Sequence, residues 1–341
     1  MIEIQENIDI KPYTTMKIGG RFKYFAKVYD INDMKEIISF SKEKKIPIFI
    51  LGGGSNIIFS DNILNILAVK MEIRGVDMIK DDNNFVEIKV GAGENLDNFI
   101  KWTVENNLSG MEALSAIPGT VGATPIQNVG AYGSEVKDVI LVVEVFDLKR
   151  HNIKSISNKK CKFGYRDSIF KGKAHNKYVI ISVTFKLSKG EPVIPQYNDV
   201  IKYFSDKNIE NPNGEQIRQA IIEIRSFKLP DWSNKPNVGS FFKNPIISKK
   251  LAEKIKVRFP TVKMFKVGRN KIKIPAGWLI ENSGLKGISL GKISVYDKNS
   301  LVLINNSDAT LEDLVKAKNE IIKKVKNDFG ITLEQEPQIV N

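Results

Sequence analysis

The chain is poor in side chains that do chemistry unaided: it has one cysteine, Cys161, and two histidines, His151 and His175, in 341 residues. A single thiol excludes an internal disulfide and a cysteine-rich zinc site, and two imidazoles leave little for histidine-based metal binding or an activated-serine triad. No metal site is expected, and electron transfer would fall to a bound cofactor. Nothing approaches the roughly 20 consecutive apolar residues that cross a bilayer. Met1 to Ile10 alternates polar and apolar residues without a basic-then-hydrophobic leader pattern. The expectation is a cytoplasmic protein with no membrane partner. Solenoid repeats, low-complexity tracts and long Pro- or Gly-rich linkers are also missing, so domain borders follow only from motif order.

What is present suits a globule of two or three domains, since 341 residues exceed the size at which one core keeps growing. Hydrophobic residues make up 42% and charged residues 27%, with 18 Phe, which is too apolar for a disordered chain. The net charge of +13 suits anionic partners such as phosphates, nucleotides or nucleic acid. The densest basic stretch, Lys249 to Lys273, sets ten Lys or Arg against Glu253 alone and is read as a solvated face. A nucleic-acid-binding protein is the rival of a different class, but aromatic–basic RNA signatures and zinc-finger spacings are absent, so no nucleic acid is expected as a partner.

Asn32 is placed to cap a short helix carrying Met34, Ile37, Ile38 and Ser41, after which Ile46 to Leu51 reads as a buried strand emptying into Gly52-Gly53-Gly54-Ser55-Asn56. Phe85 to Val90 alternates like a strand, and Leu96, Phe99, Ile100 and Val104 form a helical stripe. Strands are expected at Val139 to Leu148 and Tyr178 to Leu187. Thr310 with Asp313 forms a capping pair for a long helix ended by Gly330, and a strand-like tail runs from Ile331 to Val340. Helices and strands mix in no regular βαβα order, which predicts an α+β fold.

The loop Gly52 to Asn56 has no side chain bulky enough to keep a diphosphate from its amides, although three glycines also suit a plain tight turn. It is neither GxGxxG nor GxxxxGK[ST]. The stretch Ile117 to Gly133 combines small residues with Pro118 and Pro125 and has no helical or strand period, as a structural loop or a ligand-moulded segment would. Arg166, in Phe163-Gly164-Tyr165-Arg166-Asp167-Ser168, could fork two hydrogen bonds onto a carboxylate or simply lie on a surface turn beside Asp167. Ser240, in Asn237 to Pro245, has no histidine near it in sequence, which argues against an activated nucleophile; a turn or cap serine is the commoner reading, though a hydroxyl that gives its proton to a carbanion needs no such base. Glu336, read alone, is an ordinary solvated carboxylate.

Together these segments resemble the UDP-N-acetylenolpyruvoylglucosamine reductase (MurB) family. The resemblance rests on Tyr13 to Gly20, Leu51 to Asp61, Ile117 to Gly133, Cys161 to Phe170, Gly239 to Pro245, Pro275 to Ile280 and Leu333 to Glu336, in that order along nearly the whole chain. It implies the vanillyl-alcohol-oxidase/PCMH-type FAD-binding fold in two subdomains, about 1–70 with 330–341 and about 71–228, with a PCMH-type region at about 17–188, plus an α+β substrate-binding domain at about 229–329. It further implies an oxidoreductase acting on a CH–CH bond, with FAD held by Gly52, Gly53, Gly54, Ser55 and Asn56, by Pro118, Gly119, Gly122 and Ala123, and by Gln127, Asn128, Gly130, Ala131, Tyr132 and Gly133. Both segments lack His and Cys, so the FAD is expected to be noncovalent. NADPH is the implied cosubstrate and a UDP-sugar bearing an enolpyruvyl group the implied substrate, reduced for peptidoglycan synthesis by a monomer. By resemblance Arg166, Ser240 and Glu336 are catalytic, while Tyr165, Tyr197, Lys228, Asn244 and Asn299 contact the substrate, with Lys243 assisting at phosphate.

Two positions depart from the family pattern: Phe265 stands where this form carries a loop tyrosine, and Gln335 replaces a proline before Glu336. Lys263, Lys266 and Arg269 would offset the missing hydroxyl by attracting phosphate. An oxidase of the same flavin fold is the nearest rival. The absorption spectrum of the purified protein is expected to show flavin bands; a colourless preparation with steeply salt-dependent DNA or RNA binding would favour the nucleic-acid reading.

Overall fold

A computed structural model of the chain describes residues 2–172, 174 and 176–341; His175 lies outside the described residues. The chain packs as two compact units, one formed by Met1–Ile8, Phe22–Gly53 and Asn65–Ser226, the other by Asp9–Arg21, Gly54–Leu64 and Phe227–Asn341.

In the first unit, the helix Ile31–Lys44 is capped by Asp30 rather than Asn32. Asp30 has the extended backbone of a cap, and its carboxylate accepts the Asn32 and Asp33 amides at 2.7 and 2.9 Å. The helix buries Met34, Ile37 and Ile38, one face at helical spacing. The strand Ile48–Leu51 then pairs parallel with Ile63–Met71, and the sheet continues through Arg21–Val28 to Ile4–Asp9. A second, antiparallel sheet runs in the order Asn152–Ser157, Ile140–Asp147, Tyr178–Ser188, Phe85–Gly91 and Val76–Asp81. The helix Leu96–Glu105, capped by Asn95, turns Leu96, Phe99 and Ile100 inward, as its stripe predicts. Further along, helices Asn198–Asp206 and Gly214–Lys228 bury Val200, Phe204, Ile217, Ala220 and Ile221 in a separate small cluster.

The second unit carries two three-stranded antiparallel sheets, Ile246–Ser248 with Lys271–Lys273 and Phe265–Gly268, and Ser289–Leu290 with Ile293–Val295 and Leu303–Asn305. Its core is closed by the helix Leu311–Phe329, whose Leu314, Ala317, Ile321, Val325 and Phe329 are all buried. Each large apolar side chain so buried is worth about 1.5–3 kcal/mol. The Thr310–Asp313 capping box forms, and Gly330 ends the helix in the left-handed conformation at φ 71°. The tail is a strand only over Gln338–Val340, parallel to Ile57–Phe59. Pro337 lacks the amide that would carry the ladder further back. No described helix is long and apolar enough to cross a membrane.

Cys161 is fully buried with its Sγ 3.9 Å from the Ile156 carbonyl, and burial pushes its thiol up to about 12. Because the thiolate is the reactive form, the native protein is expected to resist iodoacetamide at pH 8 while the unfolded chain alkylates fully. Rapid stoichiometric labelling of the native state would contradict this placement.

Candidate active site

The glycine-rich loop after Ile48–Leu51 owes its shape to close backbone approach. A methyl group on Gly53 would lie 2.5 Å from Gly119 Cα, in the other glycine-rich stretch of the first unit. Gly54 is left-handed at φ 66°, and a methyl there would meet the Tyr13 carbonyl, 1.9 Å away within the second unit. The Gly53 and Gly54 amides have no hydrogen-bond partner among the described residues. Buried or half-buried donors left in this way ask for an acceptor. Lys70, whose pKa is lowered by burial, donates to the Gly52 carbonyl at 2.5 Å and adds a cation to the loop. Orphaned amides, small residues and a nearby ammonium fit the diphosphate of FAD.

The second stretch is not the featureless loop its composition suggests. Val121–Ala123 forms a short 3-10 turn, and Gly130–Ala131 pairs with Ser134–Glu135 as a hairpin. Tyr132 and Gly133 are its two central residues, with φ of 50° and 89°. Positive φ at both centres is the type I′ pattern, which favours Asn-Gly and strains a tyrosine. Tyr132 is held there by its ring, which meets Tyr197 edge-on at 5.4 Å and packs on the Val200–Ile221 cluster. Pro118, Gly122, Ala123 and Gln127 lie along the same segment.

Asn128 is wholly buried, and its amide is committed internally. Its Nδ2 donates to the Gly164 carbonyl and to Glu135 Oε2, both at 3.0 Å, and its Oδ1 accepts the Lys137 amide at 3.2 Å. Gly164 and Asp167 exchange backbone hydrogen bonds at 2.9 and 3.4 Å around Tyr165 and Arg166. Arg166 therefore occupies the third position of a tight turn at φ 53°, where glycine is the usual residue. Its Nη2 donates to the Gly130 carbonyl at 3.1 Å. A bulky residue kept in that conformation by its surroundings is characteristic of functional positions.

In the second unit, the segment Ser240 to Lys243 is stitched on both sides. The Phe241 amide donates to the Leu301 carbonyl at 2.7 Å, its carbonyl accepts the Glu336 amide at 2.8 Å, and Lys243 donates to the Glu334 carbonyl at 2.9 Å. Phe241 and Phe242, both fully buried, pin the segment. The backbone of Glu336 is thereby fixed to the residue that follows Ser240, nearly a hundred residues away in sequence, and Ser240 and Glu336 are each half-buried. Gln335 keeps the extended path despite not being proline. It bridges Phe242, donates to the Pro337 carbonyl at 2.9 Å and accepts Lys318 at 3.1 Å.

Among the remaining candidates, the Asn244 side-chain oxygen accepts the Ala276 amide at the start of the helix Ala276–Asn282, and that of Asn299 accepts Leu301. Lys228 ends the helix Gly214–Lys228, and Lys243 is ion-paired with Glu334. Phe265 lies 46% exposed on a strand that is exposed throughout, with Lys273 Nζ 5.9 Å from its ring. Sequence reasoning did not single out Arg218 and Arg225, which lie on the helix Gly214–Lys228, where Arg218 pairs with Asp97. Their seven-residue spacing on one helix, two turns apart, was the available signal.

A family model described as the FAD binding domain matches residues 22–151, and one described as the UDP-N-acetylenolpyruvoylglucosamine reductase C-terminal domain matches residues 231–340. The p-cresol methylhydroxylase structure superposes with a TM-score of 0.50 at 14% identity, covering 98% of this chain and 83% of that one. Fold and matched domain thus define a flavoprotein of the vanillyl-alcohol-oxidase/PCMH type. The chain is 38% identical over 340 residues to the UDP-N-acetylenolpyruvoylglucosamine reductase of Flavobacterium johnsoniae, covering 99% of this chain and 100% of that protein. The MurB structure from Thermus caldophilus has the same fold, with a TM-score of 0.68 at 21% identity and coverage of 100% and 99%. The chain belongs to the UDP-N-acetylenolpyruvoylglucosamine reductase family and is an oxidoreductase.

A methyl at Gly53 has only backbone to displace, so Gly53→Ala is expected to lower stability by about 1–3 kcal/mol and to weaken FAD uptake. Flavin-fluorescence titration and thermal melting check this; unchanged values in both would remove the close approach from the account.

Proposed function

We propose that this chain reduces UDP-N-acetylglucosamine enolpyruvate to UDP-N-acetylmuramate with NADPH and noncovalent FAD, for peptidoglycan precursors in the cytoplasm. The proposal includes a monomer with three domains, the one at about 229–329 receiving the sugar nucleotide. The observation that carries it is family membership along nearly the entire chain, together with the hydrogen bond that fixes the Glu336 amide to Phe241, the residue after Ser240.

When bound, FAD supplies the two-electron relay, accepting hydride from NADPH and delivering hydride to the terminal carbon of the enolpyruvyl double bond. The residues of the chain manage the charge that follows. Arg166 binds the substrate carboxylate through its forked guanidinium, the turn conformation fixing its aim. Glu336 lies with Arg166 against the substrate carboxylate, where hydride addition leaves charge spread over the adjacent carbon and carboxylate. Ser240 gives its hydroxyl proton to that carbon, completing the addition of one hydride and one proton across the double bond while NADPH becomes NADP+. A carbanionic enolate is basic enough to take a serine proton when the geometry is set, and such help is typically worth about 10²–10⁴-fold. Tyr165, Tyr197, Lys228, Asn244 and Asn299 orient the sugar nucleotide.

Stopped-flow mixing tests the reading. NADPH is expected to bleach the yellow enzyme, and the enolpyruvyl substrate rather than oxygen to restore its colour. Ser240→Ala is expected to keep the first step near normal and to slow the second by about 10²–10⁴-fold. Full turnover in that variant, or rapid reoxidation by air with no response to substrate, would overturn the assignment.

A further inference from the structure

Lys228 and Asn299, proposed above to orient the sugar nucleotide, lie on two segments of the second unit that the fold joins. Leu229 packs on the buried cluster of Tyr296, Val302 and Ile304, and the Lys298 ammonium lies 4.8 Å from the centre of the Phe227 ring. Phe227 is otherwise open: at 67% exposure it is the most exposed Phe, Tyr or Trp among the described residues. A lone exposed ring is ordinary on a protein surface. This one stands where the two segments meet, beside Lys228 in the chain, with a cation over it and most of its surface in solvent.

The segment that carries Lys298 also leads to Ser240. Ser240 bridges Val302 in antiparallel fashion, the Val302 amide donates to the Asn299 carbonyl at 3.0 Å, and the Asn299 side chain accepts the Leu301 amide at 3.1 Å. Ser240, Asn299, Lys298 and Phe227 therefore follow one another as neighbours within the unit. The proposed substrate carries its groups in a matching order: the enolpyruvyl sugar that reacts, then the diphosphate, then uridine at the far end. A diphosphate near Lys298 meets a cation. Uracil is flat and uncharged, and an open phenyl ring offers it a stacking surface. The ammonium over Phe227 steadies that ring before any ligand arrives.

We infer that Phe227, steadied by Lys298, is the residue on which the uracil ring of the sugar nucleotide stacks. The inference rests on the functional reading above, which supplies the nucleotide. Phe227 is a binding residue set apart from the reacting atoms, so it holds ground state and transition state equally.

The test compares FAD-loaded wild type with Phe227→Ala, Phe227→Leu and Phe227→Trp, in steady-state turnover and in titration with UDP. Phe227→Ala and Phe227→Leu are expected to raise KM for the enolpyruvyl substrate and Kd for UDP about tenfold. Their kcat, their bleaching by NADPH and their retention of FAD are expected to match wild type. Phe227→Trp is expected to keep both constants near wild type. Leucine is the deciding variant, because it preserves an apolar side chain at the helix end and offers no ring. A Phe227→Leu enzyme with wild-type KM and Kd overturns the inference. So does a Phe227→Ala enzyme whose kcat falls at unchanged KM, since the ring would then only brace the fold. A wild-type holoenzyme that neither turns over the substrate nor binds UDP defeats the functional reading and this inference with it.

Discussion

The side-chain amide of Asn128 is the constraint on which the site in the first unit depends. One buried group ties the Arg166 turn, through Gly164, to Glu135 in the second strand of the Tyr132 hairpin and to Lys137 just after it. Both of its donors and its acceptor are used, so the arrangement has a unique solution: moving any of the three partners would strand a buried polar atom at a cost of about 1–3 kcal/mol. Rigid placement of this kind lets a long, flexible arginine present a defined fork, because its backbone and one of its nitrogens are fixed before any ligand arrives.

Strain gathers along the same stretch. Ala116, Asn128, Tyr132 and Arg166 all take left-handed backbone conformations that favour glycine. Each costs of order 1–3 kcal/mol, and each is held by something specific. Ala116 is held by the hydrogen bond its backbone N–H donates to the Asp97 carboxylate, Asn128 by its internal clamp, Tyr132 by its ring contacts and Arg166 by the closed turn. Packing elsewhere in the unit, in the five-stranded sheet and the helices on it, supplies the stability that offsets this.

The second unit solves a different problem, that of bringing together residues far apart in sequence. The buried pair Phe241 and Phe242 seats one segment, and backbone hydrogen bonds tie it to Leu301 on one side and to Glu334 and Glu336 on the other. Backbone pairing of this kind tolerates changes in side chains, which is why Gln335 follows an extended path without proline. The hydrogen bonds of its side-chain amide, accepted from Lys318 and donated to the Pro337 carbonyl, replace the stiffness a ring would give.

Much of this was legible in the residues. Local rules act over a few positions, so the Thr310–Asp313 box with Gly330, the stripe of Leu96 to Ile100 and the main strands could be read directly, as could the glycine-rich loops and the family resemblance. The first helix cap was misplaced by two residues, because Asp30 and Asn32 are equally able acceptors and only the chain's entry angle chooses between them. Tertiary structure alone decided that the Asn128 amide is spent inside the fold, that Tyr132 occupies a strained turn and that Arg218 takes Asp97. Those outcomes depend on which groups meet across long stretches of chain. Periodicity and composition report the preferences of each segment but not the partner that the rest of the chain brings to it.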